Sequence, residues 1–306
     1  MIIWIFILVL VLAVIITSVI ILSKQNDVMD NYKSLNEDFI VICGCVYECE
    51  PYLKDVLTNM EIIGSKFRDY VIIIAIDEGK DKSHEILEKW QKENPKLKIL
   101  PSKRESEIRV QNICNARNRL MQNMRNIYKS RPFEYFLMMD CDKVSSKQVQ
   151  LGTLKEVFDN KEKWDSVSFA SPMQYYDIWA LNYDDFYVSF LHSKNYHNMY
   201  SFVRKDIQQK LTNVTWYKVY SAFGGSAFYK TSMFLDLNYG WKIEDNMKFI
   251  DDKMLERHNT FVGEKYPRFF TRKEDCEHRF FHFQAYYNRD AKIYIYTKPL
   301  FPYIGH

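Results

Sequence analysis

The chain has 306 residues, 47% hydrophobic and 26% charged, with a formal net charge of +3. That length bounds it to one large domain, or one domain with a small annex, and the near-balanced charge argues against a nucleic-acid partner. Aromatic residues make up 16%, with 22 Tyr and 21 Phe, which suits a site that stacks rings and equally an aromatic core.

Residues 1–23 are almost wholly apolar, interrupted by Thr17 and Ser18. About 20 such residues cross a bilayer as a helix. No basic start or small-residue cleavage site marks a signal peptide, so the segment reads as an uncleaved anchor. No Lys or Arg precedes it, and Lys24 and Lys33 follow, which by the positive-inside rule favours a cytosolic main domain. The lone sequon Asn213-Val214-Thr215 points the other way. Residues 24–38 are polar and read as a stalk, leaving 39–306 as the folded domain.

Phe39–Cys43 is β-branched and of strand length. Pro51 opens a helix through Ile63. Val71–Ile76 is apolar at every position, as in a parallel strand covered on both faces. Ser83 to Lys92 carries Ile86, Leu87 and Trp90 on one helical stripe. Leu97–Leu100 is a short strand, residues 108–127 a long helix, and Tyr135–Met139 a fourth strand. This β/α alternation, with a period near thirty, predicts a doubly wound α/β sheet, whose ligands bind beyond the carboxyl ends of the strands. The second half is less regular. Val167–Ala170 reads as a strand, and residues 173–203 are dense in Tyr, Phe, Asn and His. Val219–Tyr229 reads as strand, Gly224-Gly225 turn, strand. Glu274–Asn288 reads as a turn into a helix, and Lys292–Tyr296 as a late strand. The cysteines (Cys43, Cys45, Cys49, Cys114, Cys141 and Cys276) lack paired zinc spacing and read as buried free thiols.

Four constellations could carry chemistry. Asp140-Cys141-Asp142 follows the fourth strand. If the strand persists to Asp142, both carboxylates share a face and can hold Mg²⁺ or Mn²⁺ against a diphosphate; a solvated turn is the plainer alternative. Asp77 and Glu78, before Gly79, sit where a carboxylate can meet a base or ribose, or simply form a turn capping the next helix. The polar face from Arg109 through Arg119, with Arg117 and Asn118, can clamp phosphates or face solvent. Glu274-Asp275-Cys276-Glu277-His278, followed by His282, offers Glu277 or Asp275 as a catalytic base and His278 as a metal ligand, or an exposed acidic turn.

Together these features resemble a GT-A nucleotide-sugar glycosyltransferase. More narrowly, Asn115-Ala116-Arg117-Asn118, Met139 to Val144 and Tyr175 to Leu181 are similar to the fungal capsule-type (alpha-1,3-)mannosyltransferases. The resemblance implies a GT-A-like mixed sheet behind one transmembrane helix, and a hexosyltransferase using a nucleotide sugar with Mn²⁺ or Mg²⁺. Its acceptor would be a glycan, glycoprotein or glycolipid. It implies Asp77 at the nucleoside, Asp140 and Asp142 at the ribose and metal-bound diphosphate, and Gly224 and Gly225 lining donor or acceptor. It also implies an ER/Golgi-type lumenal catalytic domain, against the cytosolic orientation that Lys24 and Lys33 favour. Two other classes stay open. Asp140-Cys141-Asp142-Lys143-Val144 also fits the opening of a haloacid-dehalogenase-type phosphatase with Asp140 as nucleophile, and a membrane-anchored glycan-binding protein without catalysis would share the aromatic richness.

Overall fold

The computed structural model describes residues 36–170 and 175–302. The anchor expected over residues 1–23 lies outside them, as does most of the stalk. Among the described residues no helix is long and apolar enough to cross a membrane.

The first half alternates as its sequence pattern predicts: β1 (Asn36–Val46), α1 (Glu50–Gly64), β2 (Phe67–Asp77), α2 (Ser83–Glu93), β3 (Leu97–Ser102), α3 (Arg109–Ser130) and β4 (Tyr135–Asp140). The second half contributes α4 (Leu151–Asp159), β5 (Ser166–Phe169), α5 (Tyr196–Leu211), β6 (Trp216–Lys218), β7 (Ser226–Lys230), α6 (Thr231–Phe234), α7 (Ile243–Met247), α8 (Asp252–Val262), α9 (Glu277–Arg289) and β8 (Ile293–Tyr296). The eight strands form one sheet in the order β3-β2-β1-β4-β7-β5-β8-β6. β1 to β4 are mutually parallel; β7 enters antiparallel to both β4 and β5, β8 runs parallel to β5, and β6 pairs antiparallel with β8. The sheet is therefore mixed.

Strand alternation explains the two cores. Phe39, Val41 and Cys43 of β1, Ile73 and Ala75 of β2, and Phe136 and Met138 of β4 face one side, under Leu120, Met121 and Met124 of α3, Val203 and Ile207 of α5, and Phe281 of α9. Ile40 and Ile42, Ile72 and Ile74, and Leu137 and Met139 face the other, under Leu53, Val56 and Met60 of α1, Leu87 of α2, and Leu154 and Val157 of α4. A strand buried on both faces must be apolar at every position, which is why these segments read as continuous runs. All six cysteines are free, and all but Cys45 are buried.

Two expectations need correction. β4 ends at Asp140 and does not persist to Asp142, whose backbone is extended (φ −117°) and whose side chain instead caps the 3-10 turn Lys143–Ser145. The hairpin read over Val219–Tyr229 forms only its second strand, β7. Before it, Ser221 bridges to Asn182, so that stretch is spent on a loop-to-loop contact.

Candidate active site

The carboxyl ends of β1, β2 and β4 converge, and the site is built on them. Asp140 closes β4, and its N–H donates to the carbonyl of Gly225 at 2.8 Å. Gly224 and Gly225 have φ of +64° and +84°, the left-handed region that side chains disfavour. A Cβ on Gly224 would come within 2.4 Å of the Phe169 carbonyl oxygen, and one on Gly225 within 2.6 Å of Val144 Cγ1. These glycines thus let the chain press against the turn that carries Asp142. Asp142 Oδ1 accepts the N–H of Val144 at 3.0 Å.

Arg117, in the third turn of α3, ties this end of the sheet to α9. Its Nη2 is 3.0 Å from Asp140 Oδ1, and its Nη1 is 3.3 Å from Glu277 Oε1 and 3.1 Å from His278 Nδ1. The guanidinium lies 4.7 Å from the Phe223 ring centroid and 5.6 Å from that of Tyr239. Arg117 and Glu277 are both buried; a buried charge persists only when paired, and here one cation serves two anions. Burial pushes Asp140 well above the usual carboxylate range, Arg117 pulls it down, and the charge of Asp142 pushes it up again. Glu277 opens α9, where a carboxylate complements the helix dipole. His278 stacks on Phe223 with centroids 3.7 Å apart.

Asp77, at the end of β2, pairs with Arg119 at 2.7 Å. It lines a cleft of ≈ 580 Å³ with Glu48, Glu78, Gly79, Asp81, Ser102 and Lys103 among its walls. Asp81 ties the rim down, accepting from Ser83 N at 3.0 Å and Glu50 N at 2.8 Å. The cleft has the size of a small-molecule site and the location that open α/β sheets use for ligands.

The remaining sequence candidates are placed differently. Asn118 holds the backbone of Tyr239 from both sides, donating to its carbonyl at 3.0 Å and accepting its N–H at 2.8 Å. Arg109 is exposed at the first residue of α3. Asp275 is fully buried against Arg279 Nε at 3.2 Å and accepts from Asn246 at 2.8 Å, so its charge is committed away from the cleft. Asp177 lies in the Tyr175 to Leu181 stretch, which stands out by its resemblance and its aromatic density but in which the sequence gives the acid no role. It accepts the N–H of Ala180 at 3.1 Å, and burial, with the charge of Glu277 adding, lifts it to about 6. Phe223, stacked on His278, and Tyr239, edge-on to it, both lie near the Arg117 guanidinium and carry no sequence signal beyond being aromatic.

Two carboxylates suit a hard divalent cation that takes its other ligands from phosphate and water, and Asp140 and Asp142 fit that role. Among the described residues no group of three His, Cys, Asp or Glu side chains could hold a metal, so Asp140, Asp142 and His278 do not form a cage.

Three similar solved structures have low scores. The mannosyltransferase PcManGT from Pyrobaculum calidifontis, in complex with GDP-Man and Mn²⁺, is 11% identical with a TM-score of 0.40, over 72% of this chain and 52% of that one. TarS of S. aureus is 16% identical, TM-score 0.43, over 86% and 36%. TarS 1–349 with UDP-GlcNAc is 17% identical, TM-score 0.41, over 86% and 57%. The alignments thus span 36% to 57% of those proteins' lengths. No curated protein matches the sequence. Residues 41–237, however, match the model of glycosyl transferase family 2. That stretch runs from β1 through the Asp140/Asp142 turn to the end of α6, and it leaves no place for a phosphatase domain opening at Asp140. With the match covering more than half of the chain, and with paired acids at the exit of a central parallel strand, the chain belongs to glycosyl transferase family 2.

Proposed function

We propose that this chain moves a sugar from a nucleotide-sugar donor to a hydroxyl of a glycan, glycoprotein or glycolipid acceptor. One observation carries the reading: buried Arg117 joins Asp140, at the exit of β4, to Glu277, at the start of α9, beside a cleft that ends on Asp77. The nucleoside would sit in that cleft, and Asp140 and Asp142 would hold Mn²⁺ or Mg²⁺ against the diphosphate. When bound, such a cation offsets the charge that grows on the departing nucleoside diphosphate. Arg117 holds Asp140 in place and keeps a positive charge beside the diphosphate. Glu277, fixed on a helix rather than a loop, is the group to accept the proton of the attacking hydroxyl. Arg117 is buried beside the rings of Phe223 and Tyr239.

The narrower likeness to the fungal capsule-type mannosyltransferases makes mannose the first donor sugar to try. Residues 1–23 would anchor the domain at a bilayer, with its compartment set by the orientation of that anchor.

The test uses the full chain with a panel of nucleotide sugars, with Mn²⁺ and with chelator. Metal-dependent release of nucleoside diphosphate is expected for one donor. Asp142→Asn keeps an oxygen to cap Val144 yet removes the charge, so it should lower kcat/KM by about 100-fold, ~2.7 kcal/mol, without lowering Tm. Wild-type turnover in that variant refutes the metal role. Glycan binding without turnover of any donor returns the non-catalytic reading.

A further inference from the structure

α9 carries two buried histidines one turn apart, His278 and His282. Their hydrogen bonds fix opposite tautomers. A guanidinium has donors and no acceptor, so in its 3.1 Å contact with Arg117 Nη1 the Nδ1 of His278 must accept. The proton of the neutral ring is then on Nε2. For His282 the logic reverses. Ser221 Oγ donates its one proton to the carbonyl of Ala180 at 2.6 Å. It can therefore only accept from His282, at 2.8 Å, which puts the proton on Nδ1 and leaves Nε2 to accept from Tyr229 Oη at 3.1 Å. Burial, helped by the charge of Arg117, keeps His278 neutral well below the usual histidine range, and His282 titrates only at about 3.

The consequence for His278 is chemical. Its one lone pair is given to Arg117, and Nε2 carries a proton, so no lone pair remains for a cation. Among the described residues Nε2 has no hydrogen-bond partner, and it lies 3.8 Å from Glu277 Oε1. We propose that His278 is a positioning residue, neither metal ligand nor acid: as an acceptor at Nδ1 it sets the rotation of the Arg117 fork, so that Nη2 reaches Asp140 while Nη1 rests against Glu277. Without that acceptor the fork is free to swing into a two-pronged pair with either carboxylate. It would then occupy the oxygens that the cation or the attacking hydroxyl requires.

The kinetic consequence rests on the transferase reading; the tautomer does not. The full chain labelled with ¹⁵N-histidine gives the tautomer by long-range ¹⁵N–¹H correlation, with His282 as an internal control of opposite sense and His278→Asn supplying the assignment. Nε2–H at His278 is expected. His278→Leu, which has no acceptor, should lower kcat by about 10- to 100-fold, the range for groups that orient a metal site's ligands, with donor KM unchanged. His278→Asn, which restores an acceptor oxygen, should recover most of that loss. Mn²⁺ affinity, read by electron paramagnetic resonance, should stay within about twofold in His278→Asn, which keeps the acceptor, and fall in His278→Leu, where the freed fork covers Asp140. An Nδ1–H tautomer, a tenfold loss of Mn²⁺ affinity in His278→Asn, or wild-type kcat in His278→Leu overturns the proposal. If the Leu variant does not fold, the tautomer and the Mn²⁺ affinity of His278→Asn decide. If the wild type turns over no nucleotide sugar, the transferase reading fails, and those same two measurements still decide the role of His278.

Discussion

A single side chain, Arg117, holds the proposed chemistry together, and the acids near it divide into those paired with it and those paired elsewhere in the core. Asp275 and Glu277 illustrate the division. They lie two residues apart in one acidic segment, and either fits a catalytic base from sequence. The structure gives Glu277 to Arg117 and gives Asp275 to Arg279 and Asn246. Arg279 also donates to the carbonyls of Leu181 and Tyr187, so the Asp275–Arg279 pair fastens the start of α9 to the loop beyond β5. Removing one partner of a fully buried pair strands the other charge, at a cost of about 3–5 kcal/mol. Asp275→Asn should therefore unfold at markedly lower urea concentration, with its loss of activity tracking the loss of folded protein; a folded but inactive variant would make Asp275 catalytic instead. Which of two nearby acids faces the core depends on where Arg279 and Asn246 end up in space, and sequence spacing does not encode that. Asp140 and Asp142 stand out in the sequence because they follow an unmistakable strand, of which only Asp140 is part. Asp177 does not, since nothing local separates it from the tyrosines around it.

At the scale of elements, the first half of the sheet could be read from the chain because β1, β2 and β4 carry apolar runs of five or more residues, with striped helices between the strands. The strands β5, β6 and β8 are three or four residues long, and they pair with segments far along the chain. β5 and β8 still show as Val167–Ala170 and Lys292–Tyr296, but the three residues of β6 carry no period to read, and the crossing from parallel to antiparallel at β7 is a tertiary fact. The Gly224-Gly225 pair was visible as a turn but was assigned to a hairpin. Its task is to set β7 beside β4 while the Gly225 carbonyl takes the N–H of Asp140. Gly225→Ala tests this. The left-handed backbone and the 2.6 Å approach to Val144 Cγ1 together should cost about 1–3 kcal/mol. Because Val144 belongs to the turn capped by Asp142, kcat should fall along with stability. Urea unfolding and steady-state kinetics on the same preparation check both. Unchanged stability would mean that this turn is looser than its geometry requires.

Over the whole molecule, the buried polar groups make stability depend on pH in a direction that can be worked out. His258, on α8, is fully buried against Tyr266 and Phe186, and its Nδ1 accepts the N–H of Tyr187 at 3.2 Å. Burial pulls it from 6.5 down to about 3. Between those values the unfolded chain binds a proton that the folded chain refuses. Stability is therefore lost as pH falls below about 6.5, by up to ~1.4 kcal/mol per pH unit for each such histidine. His282 adds the same tendency. Asp177 opposes it: lifted from 3.8 to about 6, it keeps a proton in the folded state that the unfolded chain has released, so its contribution falls as pH rises through that window. The net slope of the wild type mixes these terms, but a comparison isolates one. His258→Asn retains an acceptor for Tyr187 and removes the titrating ring. At pH 7 it should be less stable than the wild type, because packing against Tyr266 is lost. At pH 5 the gap should narrow by about 2 kcal/mol, since 1.5 pH units of proton penalty vanish with the ring. Urea unfolding followed by tryptophan fluorescence at the two pH values measures it. A gap equal at both would mean that His258 takes up its proton without unfolding, and that the core under α8 opens to water more readily than its packing implies.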